Sequence, residues 1–164
     1  MMVSSCAIYH HYGPYYGKVI DADTKKPLEG AVILAVYTTW MYGSPGGPAS
    51  YFLDTQEVVT DKNGEFRIPT FNAVAFRPLS TFSPQNPNVT IFKPHYRCRV
   101  YSFLEDEYEI VKLRELKTKE ERLDNLTCTP TSVPNERMMQ FRRSQDVERM
   151  DIGLKPGFLK EDPR

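Results

Sequence analysis

A chain of 164 residues is long enough for one domain with a real core and too short for two, since a domain of that size buries roughly two thirds of its unfolded surface. Twenty-one Lys and Arg balance twenty-one Asp and Glu, which excludes the cationic footprint that nucleic-acid binders use to displace counterions from phosphate. Thirteen Pro, nine Gly and ten Tyr point to a turn-rich β protein rather than a helical bundle, because Tyr favours pleated, half-buried surfaces while Pro interrupts helices and central strands.

Three cysteines are an odd count, so any internal pair leaves one thiol over. Cys6 is the candidate for that thiol. It closes Val3-Ser4-Ser5-Cys6, which resembles the end of a bacterial lipoprotein signal, where an aliphatic and two small residues precede the cysteine that is lipidated after cleavage. The resemblance implies attachment to a membrane through Cys6 and a place in the bacterial cell envelope, on its periplasmic or outer side. No basic or apolar stretch stands ahead of Cys6, so this reading expects a leader encoded upstream. His10-His11-Tyr12-Gly13-Pro14-Tyr15-Tyr16 then reads as a tether, and residues 1–14 as lying outside the folded part.

Residues 16–21 read as a short strand running into a turn over 22–28 that is rich in Asp, Thr, Lys and Pro. The run 31–37 is β-branched and almost wholly apolar. It predicts a central strand buried on both sides or the main contributor to the core, and it is too short to span a bilayer. Gly43-Ser44-Pro45-Gly46-Gly47-Pro48 marks a surface loop. Residues 52–60 and 65–69 predict a hairpin around Asp61-Lys62-Asn63-Gly64, a sequence that supplies positive φ. A long crossing loop, dense in Pro, Ser and Asn, is expected over 70–88, followed by strands at 89–92, 97–101 and 108–113. In the tail, Thr118-Lys119-Glu120-Glu121 is a capping-box pattern opening a short helix to about residue 126. A second helix is expected over 135–150, with Met139, Arg143, Val147 and Met150 as an apolar stripe too interrupted to bury deeply, the helix packing as a peripheral brace.

Gly17-x-Val19-x-Asp21, then Pro27-x-x-Gly30-Ala31-x-Ile33, then Thr60-Asp61-x-x-Gly64-x-Phe66-x-Ile68 together resemble the carboxypeptidase regulatory-like domain. The resemblance covers residues 15–113 and implies a mainly β fold, an antiparallel seven-stranded Greek-key β-sandwich of prealbumin type. It leaves residues 114–164 as a helical C-terminal extension. Lys93-Pro94-His95-Tyr96-Arg97 is similar to the family's later Pro-Gly-Tyr turn, with His95 where glycine is usual. The family implies a surface module with a binding, spacing or structural role and no cofactor, rather than an enzyme.

Cys98 and Cys128 are the candidate disulfide pair, closing a loop of about thirty residues that stabilises by roughly 3 to 4 kcal/mol. Two buried free thiols are the other reading, and no C-x-x-C or H-x-x-x-H spacing accompanies them to suggest zinc. A metallocarboxypeptidase needs H-x-x-E, and none of His10, His11 and His95 has Glu three residues on. A transthyretin-like hydrolase is echoed only by Tyr96-Arg97-Cys98-Arg99. An intradiol-dioxygenase-like iron site invites comparison with Trp40, Tyr42, His95 and Tyr96, but a single His lies inside the sandwich region. No metal ligands and no catalytic residues are therefore assigned. The binding candidates are Trp40, Tyr42 and Tyr51, aromatic residues flanking the Gly- and Pro-rich loop, which can present flat faces to a carbohydrate or a protein.

Overall fold

Strand β2, Tyr15–Asp21, alternates strictly between buried and half-buried residues, the period-2 signature of a strand with one face on a core. The structure, a computed structural model, describes residues 8–41, 49–75, 86–103 and 107–158. The other strands are β1 (Ile8–Tyr12), β3 (Val32–Met41), β4 (Ala49–Val59), β5 (Glu65–Ile68), β6 (Phe71–Ala75), β7 (Asn88–Phe92), β8 (Arg99–Ser102) and β9 (Tyr108–Leu113). They form a three-stranded sheet in the order β5-β2-β9, a four-stranded sheet in the order β4-β3-β7-β8 and a two-stranded ribbon of β1 with β6. All pairings are antiparallel except β2 with β9. The fold is thus mainly β, with two helices, α1 (Lys119–Asn125) and α2 (Met139–Asp151), at the C-terminal end.

One apolar core draws on both larger sheets: Val19, Phe66, Ile68, Val111 and Leu113 from one, and Ile33, Ala35, Tyr37, Val89 and Ile91 from the other. Tyr12 and Ala73 of the ribbon close one side of it. A second core lies on the outer face of the four-stranded sheet, where Val32, Leu34, Val36 and Phe92 meet Val133, Met138 and Phe141. The run 31–37 therefore faces two cores, which accounts for its unbroken apolar character. The Phe92 and Phe141 rings sit 5.4 Å apart and tilted, so α2 is fastened to the sheet by aromatic packing.

Four expectations need revision. The segment 52–60 and the segment 65–69 do not form a hairpin, because β4 pairs with β3 while β5 pairs with β2. The turn at Asp61 to Gly64 exists, with Asp61 Oδ1 accepting from Asn63 and Glu65 N–H. The Val19 N–H donates to the Gly64 carbonyl at 2.8 Å and ties the turn to β2, making it a corner between sheets. Part of the stretch read as a tether is strand β1, paired residue for residue with β6, and Tyr12 is 1% exposed. Strand β6 itself lies within the expected crossing loop, in the alternating Phe71-Asn72-Ala73 stretch ahead of the Pro-rich residues. Finally, the stripe on α2, expected to bury only shallowly, is exposed at Met139, Val147 and Met150, and the helix packs through another face, where Phe141, Gln145, Asp146 and Glu148 are buried. Three of those four are polar, so an apolar periodicity could not find the buried face.

The capping box forms as read. Thr118 accepts from the Glu121 N–H at 3.1 Å, and the Glu121 carboxylate accepts from the Thr118 N–H.

Candidate functional site

The outer face of the four-stranded sheet is only half covered by the C-terminal extension, and the uncovered half is a groove of about 450 Å³. Its floor alternates as the pleat dictates: Val36 and Thr38 from β3, Asn88 and Thr90 from β7, Val100 from β8, with Ser50 of β4 at one side. Register places Val36 beside Asn88 and Thr90 beside Val100. The opposite wall is the segment from Thr127 to Ser132, contributing Thr127, Cys128, Thr129, Pro130 and Ser132. The lining is rich in hydroxyl groups over a small apolar floor, and among the described residues none of its side chains is ionisable, since Cys128 is held in a disulfide.

The wall is held rigidly. Cys98 and Cys128 are bonded, with Cα atoms 6.4 Å apart. Asn125, 3% exposed, accepts from the Cys98 N–H at 2.7 Å and donates to the Tyr96 carbonyl at 2.9 Å. Gln145, also buried, donates to the Leu126 carbonyl and to Thr129 Oγ1. Both amides are satisfied, so they fix the wall without the cost of an unpaired buried polar group.

Below the groove, the extension is tied to the β7–β8 turn by charge. Glu148 is fully buried and accepts from Arg122 Nε at 2.7 Å, from Arg122 Nη2 at 3.0 Å and from the His95 N–H at 2.9 Å. Arg122 also pairs with Asp151, and hydrogen bonding to Arg122 holds the Asp151 carboxyl below its usual range. His95 has φ +72°. The turn thus keeps the left-handed geometry that glycine favours, with a residue type that tolerates it better than most.

Of the aromatic candidates Trp40, Tyr42 and Tyr51, Tyr51 alone has a described side chain. Tyr51 pairs with Thr39, beyond the bulge at Tyr37 and Thr38, on the sheet face opposite the groove. Trp40 pairs along the backbone with Ser50, while its side chain, together with Tyr42 and Cys6, lies outside the described residues. His95 and Tyr96 turn to different partners: His95 Nε2 lies 3.7 Å from Asp151. The Tyr96 phenol is pushed up to about 12 by burial and by its hydrogen bond with Asp21. His11 is bonded to Asn72 on the β1–β6 ribbon. Among the described residues no three His, Cys, Asp or Glu side chains converge as a metal cage.

The groove wall was not singled out from sequence. Its signal is Thr127-Cys128-Thr129-Pro130-Thr131-Ser132, a hydroxyl-rich run anchored by a cysteine, which resembles an ordinary linker until its partners are seen. No protein-family model and no curated protein matches this chain.

Proposed function

We propose that this protein is a non-catalytic module of the bacterial cell envelope, of carboxypeptidase regulatory-like, prealbumin-sandwich type, held to a membrane through a lipid on Cys6. Its binding surface is the groove, and its ligand is a neutral polar chain, a glycan of the envelope in first place. The observation that carries the reading is the groove's lining: a cleft of hydroxyls over an apolar floor with no titratable side chain among the described residues. Such a lining offers hydrogen bonds and flat contact to a neutral ligand, and among the described residues it sets no acid or base beside its hydroxyls to activate them. The Cys98–Cys128 disulfide is in keeping with an exported protein, and Val3-Ser4-Ser5-Cys6 with lipidation.

The test is a binding screen of neutral oligosaccharides against the full chain and against Thr38→Arg, which projects a long cation into the groove. Saturable binding to a neutral glycan, lost in T38R at unchanged melting temperature, supports the reading. Equal binding by T38R, or saturable binding only to charged ligands, refutes the groove as its site. Fractionation tests the anchor separately: Cys6→Ser leaves the membrane fraction if Cys6 is lipidated, and stays there if it is not.

A further inference from the structure

A second, smaller pocket of about 200 Å³ lies on the far side of Gln145, between α2 and the chain at Gly157 and Phe158. Arg142 and Arg149, two helical turns apart on α2, both line it. Four arginines pair with carboxylates: Arg97 with Asp124, Arg114 with Glu121, Arg122 with Glu148 and Asp151, and Arg137 with Asp54. Among the described residues Arg142 and Arg149 have none within ion-pair distance. Neutral oxygens hold them instead. Arg142 donates from Nε and Nη2 to Asn135 Oδ1 and from Nη1 to Gln145 Oε1, and Arg149 donates from Nε to the Lys155 carbonyl. A guanidinium parked on amide oxygens is oriented without being neutralised, and only four of the pair's ten N–H groups are used in these bonds.

The one carboxylate among the described lining residues is already engaged. Asp146, 1% exposed, accepts from the Gly157 N–H at 2.6 Å and from the Phe158 N–H at 2.9 Å, closing the pocket by pinning the chain that follows α2. Among the described residues, two guanidinium groups against one carboxylate give the lining one net positive charge. We propose that this pocket is a binding site for a small oxyanion, a phosphate or carboxylate group, held between Arg142 and Arg149. The site is separate from the neutral groove and its size suits a single anionic group rather than a polymer. Planar, always-charged donors in fixed orientation are the groups best matched to such an oxyanion.

The experiment is a titration of the isotopically labelled full chain with sodium phosphate and, separately, sodium acetate, at ionic strength held constant with sodium chloride. Nuclear magnetic resonance is read at the Gly157 and Phe158 amides and at the Arg142 and Arg149 Nε–H groups. Saturable shifts confined to those groups are expected with one or both anions. Phosphate alone assigns a phosphoryl group to the site, and acetate as well admits carboxylates. Arg142→Gln and Arg149→Gln each weaken binding by about tenfold or more, while Arg143→Gln, on the exposed side of the same helix, leaves it unchanged. Arg142→Lys and Arg149→Lys, which keep the charge, stand in if the Gln variants do not fold, and each is expected to retain part of the affinity. Shifts that rise linearly and are spread over the surface, an adventitious ion only, overturn the proposal. Wild-type affinity in the double Gln variant overturns it too.

Discussion

Replacing Glu148 by Ala removes the one fully buried carboxylate that three donors converge on. Breaking a buried pair by deleting one partner costs about 3 to 5 kcal/mol, because the other charge stays behind uncompensated. Here Arg122 retains Asp151, but that carboxylate is half exposed, so it offsets only a small part, as surface pairs do. The His95 N–H is left without its acceptor as well, at about 1 to 3 kcal/mol if water does not replace it. The expected loss is therefore near 4 kcal/mol, equivalent to a fall in melting temperature of about 10 °C for a chain of this size. Urea unfolding followed by far-ultraviolet circular dichroism measures the first, and calorimetry the second. Glu148→Gln keeps an acceptor and should lose about half as much. A loss under 1 kcal/mol for E148A would show that the extension is held by its apolar core alone, and would refute the role given to this ion cluster.

The remaining predictions touch other joints of the fold. The double variant Cys98→Ser, Cys128→Ser opens a loop with a sequence separation of 30 and should lose roughly 3 to 4 kcal/mol on the chain-entropy account. Unchanged urea midpoints under reducing and oxidising conditions would contradict it. Gly17→Ala places a Cβ 2.5 Å from the Glu109 carbonyl and 2.6 Å from the Phe66 ring. Because backbone on β9 cannot yield as a side chain can, the cost should reach about 3 kcal/mol, the top of the overpacking range, and a midpoint within 1 kcal/mol of wild type would be incompatible with the packing of β2 against β9. Two limbs bound the pH profile. The Asp21, Glu121 and Asp151 carboxyls titrate lower in the folded protein, so the stability they add is present above about pH 4 and lost as pH falls below it. The Tyr96 phenol is raised from 10.0 to about 12, so its share is present below pH 10 and lost as pH rises from there towards 12. Tyr96→Phe should flatten the alkaline limb of urea midpoint against pH, and an unaltered limb would assign it to other groups.

How far the sequence reached depended on which interaction decided each element. Local chemistry was legible: the capping box at Thr118 and Glu121, the Asp61 to Gly64 turn, and the doubly apolar strand at 32–37 all report forces acting within a few residues. Long-range choices were not. The turn at Gly64 has the residues of a hairpin, and nothing near it announces that Val19 captures its carbonyl and sends the next strand into another sheet. Strand β1 reads as tether because His10 and His11 stand at its centre and Gly13-Pro14 follows it, and its reason for folding is β6, some sixty residues away.

The hidden part of both candidate sites has a common physical cause. Each is built on buried polar side chains, Asn125, Gln145, Asp146 and Glu148, whose presence inside the protein depends wholly on partners that sequence spacing does not reveal. Burying such groups is tolerable only when every donor and acceptor finds a match. The match is what carries the information: Gln145 accepts from Arg142 on one side and donates to Thr129 on the other. A single amide thus stands between the positive pocket and the groove wall. Its replacement by Leu, of similar length and without either bond, is the change expected to disturb both sites at once, and loss at one site with the other untouched would show that the two are built independently.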